Sequence, residues 1–293
     1  MISNKTVGEK IFCVINYVIL TLLAIIMLYP ILYTLSASIS EPQCVAAGEI
    51  VLMPKGFNLS AYREVLNDKM IWISYGNTFF YTIFGTIISM ILTIFGGYAL
   101  SKRRLRGRKI FNLLLVFTMW FHAGTIPTYL TIRDYGLLNT RTGILVSFAI
   151  NTFYLILMRT FFESIPQEME ESAKIDGAND IQILFSIYIH LAKTAVVTIS
   201  LFYFVSKWNA YFWAMILLRD EWKIPLQVLL KKLIINLTSA GLDAAANQDS
   251  VGAKVKETII YSTIIVSIVP MVIIYPFIQK YFVSGVMVGA IKG

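Results

Sequence analysis

Charge is scarce in this chain. Asp, Glu, Lys and Arg make up 14% of its 293 residues, against about 25% in soluble domains. The hydrophobic share of 57% and the mean hydropathy of +0.70 are more than one soluble core can bury, so lipid must solvate much of the surface. Cysteine and histidine are also scarce, with two of each. Cys13 lies in an apolar run and Cys44 in a later polar segment, which excludes a disulfide framework. His122 and His190 share no metal-ligand spacing with them. No pairing of nucleophile and base can be assembled, and there is no G-x-x-x-x-G-K-[ST] phosphate loop. The sequence therefore offers no catalytic, cofactor or metal site.

What the chain has instead is long apolar runs. Six stretches approach or exceed the roughly 20 residues that cross a bilayer: 11–35, 74–100, 109–130, 143–162, 195–218 and 259–282. The expected class is all-α, a polytopic membrane protein of about six transmembrane helices forming one domain over 1–293. The first run is too long for a signal-peptide core of about 7–15 residues and reads as a retained helix.

The net charge of +8 bears on orientation, not on nucleic acid. Six of the 25 basic residues fall between Lys102 and Lys109, the mark of a loop kept on the cytoplasmic side. An even number of helices then leaves both termini in the cytoplasm. Segments 36–73 and 219–258 become outer loops, and 163–194 faces the cytoplasm.

Segment 163–194 is the unusual part. Ser164 can cap a helix, Gln167 can return the capping-box bond, and Pro166 is tolerated in the first turn. Glu168, Glu170 and Glu171 follow where a helix N-terminus favours negative charge. Glu170 and Lys174 are four apart in the favourable order. Ile165, Met169, Ser172 and Ile175 fall on one face. Asp176-Gly177 breaks the helix, and Asn179 or Asp180 starts the next. A passive helix on the headgroups would be basic. This segment carries six carboxylates, which an anionic leaflet repels and a basic protein surface attracts.

Glu171-Ser172-Ala173-Lys174-Ile175-Asp176-Gly177-Ala178 resembles the E-A-A-x-x-D-G-A loop of ABC importer permeases, with Ser172 in place of Ala. Phe121 to Leu130 and Gly136 to Thr140 resemble the carbohydrate branch, closest to the subgroup for complex oligosaccharides and polysaccharides. Tyr281 to Gly293 is similar to the tail of maltose-type subunits. The resemblance implies a type I importer fold in a prokaryotic cytoplasmic membrane. It implies a second, homologous permease subunit, two ATPase subunits that carry ATP and Mg, an extracellular solute-binding protein and an oligosaccharide cargo, with no nucleic acid. It also implies that Glu171, Ser172, Ala173, Asp176, Gly177 and Ala178 form the ATPase-coupling loop, with Glu171 meeting a basic group and Gly177 setting the turn. The tail 283–293, ending in Lys292 and Gly293, would reach the ATPases. The family pattern goes on to two prolines that are missing here, where Ile187-Tyr188-Ile189-His190 and Thr194 stand, and the bend of the following helix becomes an open question.

Lys207-Trp208-Asn209-Ala210-Tyr211-Phe212-Trp213 lies in the fifth apolar run. Aromatic faces with an amide suit a sugar; an aromatic belt with Lys207 snorkelling explains the same residues. Trp208, Asn209, Tyr211 and Trp213 are the candidate substrate-path residues. Asn77 and Asn151 are added as lesser candidates, since such residues are more often interhelical glue than ligands. Two alternatives stay open at this point: the same machinery for a non-sugar solute, and an autonomous secondary transporter or scaffold.

Overall fold

The apolar runs become helices because a backbone in lipid must satisfy its own hydrogen bonds. The computed structural model describes residues 6–247 and 257–276, and among these there is no strand beyond one isolated bridge, Ser40 with Phe57. The chain divides into two compact units, 1–69 with 230–269 and 70–229 with 270–293.

In the first unit, α1 (Val7–Ser38) starts in a capping box between Thr6 and Glu9. It is long enough to cross a bilayer, and its side chains up to Tyr29 point almost wholly outward. Pro30 lies inside it. Only its end is buried: Ala37 packs with Val45 of α2 (Pro42–Ala46) and with Ile50. Ser38 bonds Tyr62 of α3 (Ser60–Asn67) and accepts from Ser262 through its carbonyl.

The second unit is built on α4 (Lys69–Ser101). Ser74, Thr78, Thr82, Gly85, Ser89, Thr93 and Gly97 are buried along it at three- to four-residue spacing. Such small side chains let helix backbones approach closely in a membrane. Next come α5 (Arg108–Trp120) and α6 (Thr125–Asp134), bent by 117° at a break where Gly124 has φ 86°. The expected run 143–162 is two short helices, α7 (Arg141–Val146) and α8 (Thr152–Glu163).

Then follow α9 (Gln167–Ile175), α10 (Asp180–Ile183), a π-helical turn (Leu184–Tyr188) and α11 (Ile189–Leu191). α12 (Lys193–Trp208) leaves at 86° to the Asp180–Leu191 segment. The bend therefore forms without either family proline. After it come α13 (Phe212–Leu217) and α14 (Leu226–Asn247). The last described helix, α15 (Glu257–Pro276), is again long and apolar enough to cross a membrane. By length and composition three described helices can span a bilayer, or five if each bent pair is one span.

The core of the second unit gathers Met90, Tyr98, Met158, Phe162, Ile183, Leu184, Tyr188, Ile199 and Tyr203. The π turn and the expected coupling segment are thus seated on one apolar cluster.

Candidate functional site

The expected coupling segment is a helix, a turn and a second helix. The Ser164–Gln167 capping box does not form. Pro166 is the N-cap residue, with no side-chain cap bond, and Ser164 turns back to the carbonyl of Phe161. The helix ends as the sequence suggests. Gly177 adopts φ 83°, its N–H reaches the Lys174 carbonyl at 3.0 Å, and Ala178 N–H reaches Ala173 at 2.9 Å, the paired bonds of a Schellman ending. Asn179 then caps α10 in a reciprocal box with Gln182.

The two adjacent glutamates have different partners. Glu170 is buried. Its carboxylate accepts from Lys102 and Lys174, both at 2.5 Å, and from the Tyr188 hydroxyl at 2.8 Å. The Lys102 ammonium also lies 3.8 Å from the Tyr98 ring centre and 3.9 Å from that of Tyr188. Burial pushes the Glu170 carboxyl up, but the bonds from Lys102, Lys174 and Tyr188 outweigh it and hold it at about 2. Glu171 is exposed and, among the described residues, has no ion-pair partner. Met169 and Ile175 are exposed beside it. Of the expected small residues, Ala173 and Ala178 pack inward against the core, while Ser172, Asp176 and Gly177 face outward.

Sequence reading missed what the basic turn does. It was expected only to mark the cytoplasmic side. Lys102 pairs with Glu170, Arg104 binds Asp180 through two bonds of 2.6 and 2.7 Å, and Arg108 pairs with Glu163. Three of the six carboxylates are therefore used within the chain. Glu168, Glu171 and Asp176 remain exposed. The signal was available: a block of six cations and an acidic segment expected on the same side of the membrane.

A second site is a cavity of about 490 Å³ in the same unit. α4, the 147–151 turn, α8, α12 and α13 supply its walls. Asn151, Asn209, Tyr211 and Trp213 line it, joined by Lys207, Tyr154 and Tyr203. Trp213 stacks on Phe148 with centroids 4.9 Å apart. Asn151 also caps α8, accepting from Tyr154 N–H, and its own N–H donates to the Tyr203 hydroxyl.

Two expected residues lie elsewhere. Trp208 is 1% exposed and packs edge-on to Phe79 and parallel to Phe204, one helical step away from the face that lines the cavity. Asn77 is buried and fully engaged: its amide donates to the carbonyls of Trp222 and Ile224 and accepts from Arg141. Both act in packing. Lys292 and Gly293 lie outside the described residues, as do the rest of the 283–293 tail and part of the 219–258 segment. Among the described residues there is no cluster of His, Cys, Asp or Glu able to hold a metal ion.

Residues 109–288 match the family described as binding-protein-dependent transport system inner membrane component. The chain is 39% identical over 286 residues to the polygalacturonan/rhamnogalacturonan transport system permease protein YtcP of Bacillus subtilis (strain 168), covering 97% of this chain and 99% of the relative. It is 34% identical over 292 residues to protein LplC of the same organism, covering 99% and 98%. Among solved structures it is similar to a chain of a bacterial ABC transporter involved in the import of the acidic polysaccharide alginate. That match has a TM-score of 0.85 and 49% identity over 95% of this chain and 99% of that one.

Proposed function

The chain belongs to the family of inner membrane components of binding-protein-dependent transport systems, and we propose that the cargo it passes is an oligosaccharide. It is a non-catalytic permease subunit of an ABC importer, embedded in the membrane. Family membership sets aside the autonomous secondary transporter and the scaffold. A permease of this kind works with a partner permease, ATPase subunits and a solute-binding protein.

In the proposed arrangement two ATPase subunits carry ATP and Mg, and each permease docks one of them. Glu171, Ser172 and Asp176 supply the docking surface here, and Gly177 and Ala178 the turn behind it. Segments 36–73 and 219–258 receive the binding protein on the outer side, and both termini are cytoplasmic. Movement at the docking loop switches access to the cavity from one side of the membrane to the other.

The observation that carries the sugar reading is the lining of the 490 Å³ cavity. It joins the stacked Trp213 and exposed Tyr211 to the amides of Asn151 and Asn209. Rings match the C–H faces of a pyranose, and amides match its hydroxyls. Asn209 and Tyr211 stand where Trp208 cannot, and they replace it as the residues of choice. The test is ATP-driven uptake of labelled oligosaccharides into proteoliposomes holding the whole complex and its binding protein. Uptake that falls at least about tenfold in a Tyr211→Ala, Asn209→Ala double variant, with basal ATP hydrolysis retained, supports the reading. Unchanged uptake removes these residues from the path.

A further inference from the structure

We infer that the cargo is an acidic oligosaccharide, and that Lys207 is the residue in the cavity that meets its carboxylates. The inference rests on the cavity being the cargo path. Lys207 projects from the last turn of α12, the half-buried cation of a mostly apolar chamber. The residues lining that chamber include no Asp or Glu, and among the described residues Lys207 has no carboxylate partner. Its polar contact is the Phe148 carbonyl, at the outer limit of a hydrogen bond at 3.5 Å.

An ammonium held at membrane depth faces a cavity or a counter-charge. Where a protein pairs its cation for structure, it does so as at Lys102, with a carboxylate at 2.5 Å and two aromatic faces. Lys207 lacks this, and its ammonium stands 5.9 Å from the Tyr203 ring centre. The fold also makes room for it. A side chain at Gly85 would come within 2.7 Å of the Lys207 Cδ, so the absent side chain on α4 leaves the lysine stem its place.

A single cation with weak local bonds suits a passing anion. It attracts a carboxylate without completing a cage that would hold it. Ser206, Asn209 and Asn151 stand along the same lining for hydroxyls, and Trp213 for a ring face. A uronate unit presents all three features together: a carboxylate, hydroxyls and an apolar face. A neutral sugar would leave the ammonium without a partner. A helix C-terminus also accommodates a lysine, and that role would be indifferent to the charge on the cargo.

The test is equilibrium binding to the solubilised permease–ATPase complex without the binding protein, which removes that protein's own selectivity. The probes are trigalacturonate and its carboxyl-reduced trisaccharide. The expected result is at least about tenfold tighter binding of the acid. Lys207→Gln abolishes that preference while leaving the reduced sugar's affinity unchanged, and Lys207→Arg retains it. Size-exclusion profiles check that each complex keeps its subunits. Equal binding of both sugars by wild type, or an acid preference that survives Lys207→Gln in an intact complex, overturns the inference and leaves the oligosaccharide reading standing. Loss of subunits on Lys207→Gln overturns it too, since the lysine would then be pairing with the partner permease. If wild type binds neither sugar, it is the oligosaccharide reading of the cavity that fails.

Discussion

Glu170 and Glu171 show how much one position decides. Glu170 fastens α9 to Lys102 at the end of α4 and to Tyr188 in the π turn. Removing one member of such a buried pair costs roughly 3–5 kcal/mol, because the other charge is left uncompensated. Glu170→Gln should therefore lower the unfolding temperature of the solubilised protein, and Glu171→Gln should not. The pH dependence has a definite sign. The folded carboxyl is held at about 2, below its ordinary 4.5. Its stabilisation is full above about pH 4.5 and is lost as the pH falls towards 2. Thermal unfolding of wild type and Glu170→Gln should differ by a constant amount from pH 7.5 to 5, and the gap should narrow steadily as the pH falls from about 4.5 towards 2. A gap that is undiminished at pH 3 would mean that Glu170 acts through shape and not charge. Gly177 acts through φ alone, because a Cβ there would meet nothing within 4 Å. Gly177→Ala should cost about 1–2 kcal/mol from the left-handed backbone, visible as a lower melting temperature with no loss of core packing.

At the scale of elements, the bend between α11 and α12 is the informative case. Without the two family prolines the shape of this segment could not be read from the residues. The fold bends it by 86° at Ala192, whose backbone leaves the helical region, and places a π turn at 184–188 just before that break. A π turn holds one residue more than an α turn, and it brings Tyr188 round to Glu170. Tyr188→Phe should remove the hydroxyl that donates to Glu170 while leaving the π turn in place. The expected readout is more ATP hydrolysed per sugar moved, and an unchanged ratio would show that the bond from the π turn to Glu170 has no part in coupling. The Asp-Gly turn and the Glu170–Lys174 pair were legible because both are local. The Ser164 cap was not, because Pro166 took the N-cap position. The wall of Asn209, Tyr211 and Trp213 was legible from composition, but Trp208 belonged to the core. Which side of α12 faces the cavity depends on α4 and α13, and no spacing within the segment specifies that.

For the whole molecule, the acidic segment and the basic turn form one device. Lys102, Arg104 and Arg108 take up Glu170, Asp180 and Glu163, which seats α9 on the core and leaves Glu171 turned outward. The ion pairs of Arg104 are exposed and worth little singly, so the buried Lys102–Glu170 pair carries most of the attachment. Under the proposed docking the two glutamates divide the work: Glu170 holds the helix to this chain, and Glu171 meets the ATPase. The most direct measurement is co-purification of the ATPase subunits with affinity-tagged permease from membranes, comparing wild type with Glu171→Lys. The account predicts that the ATPase is recovered with wild type and lost with Glu171→Lys, while the variant permease keeps the wild-type melting temperature. Full recovery of the ATPase with Glu171→Lys would contradict it.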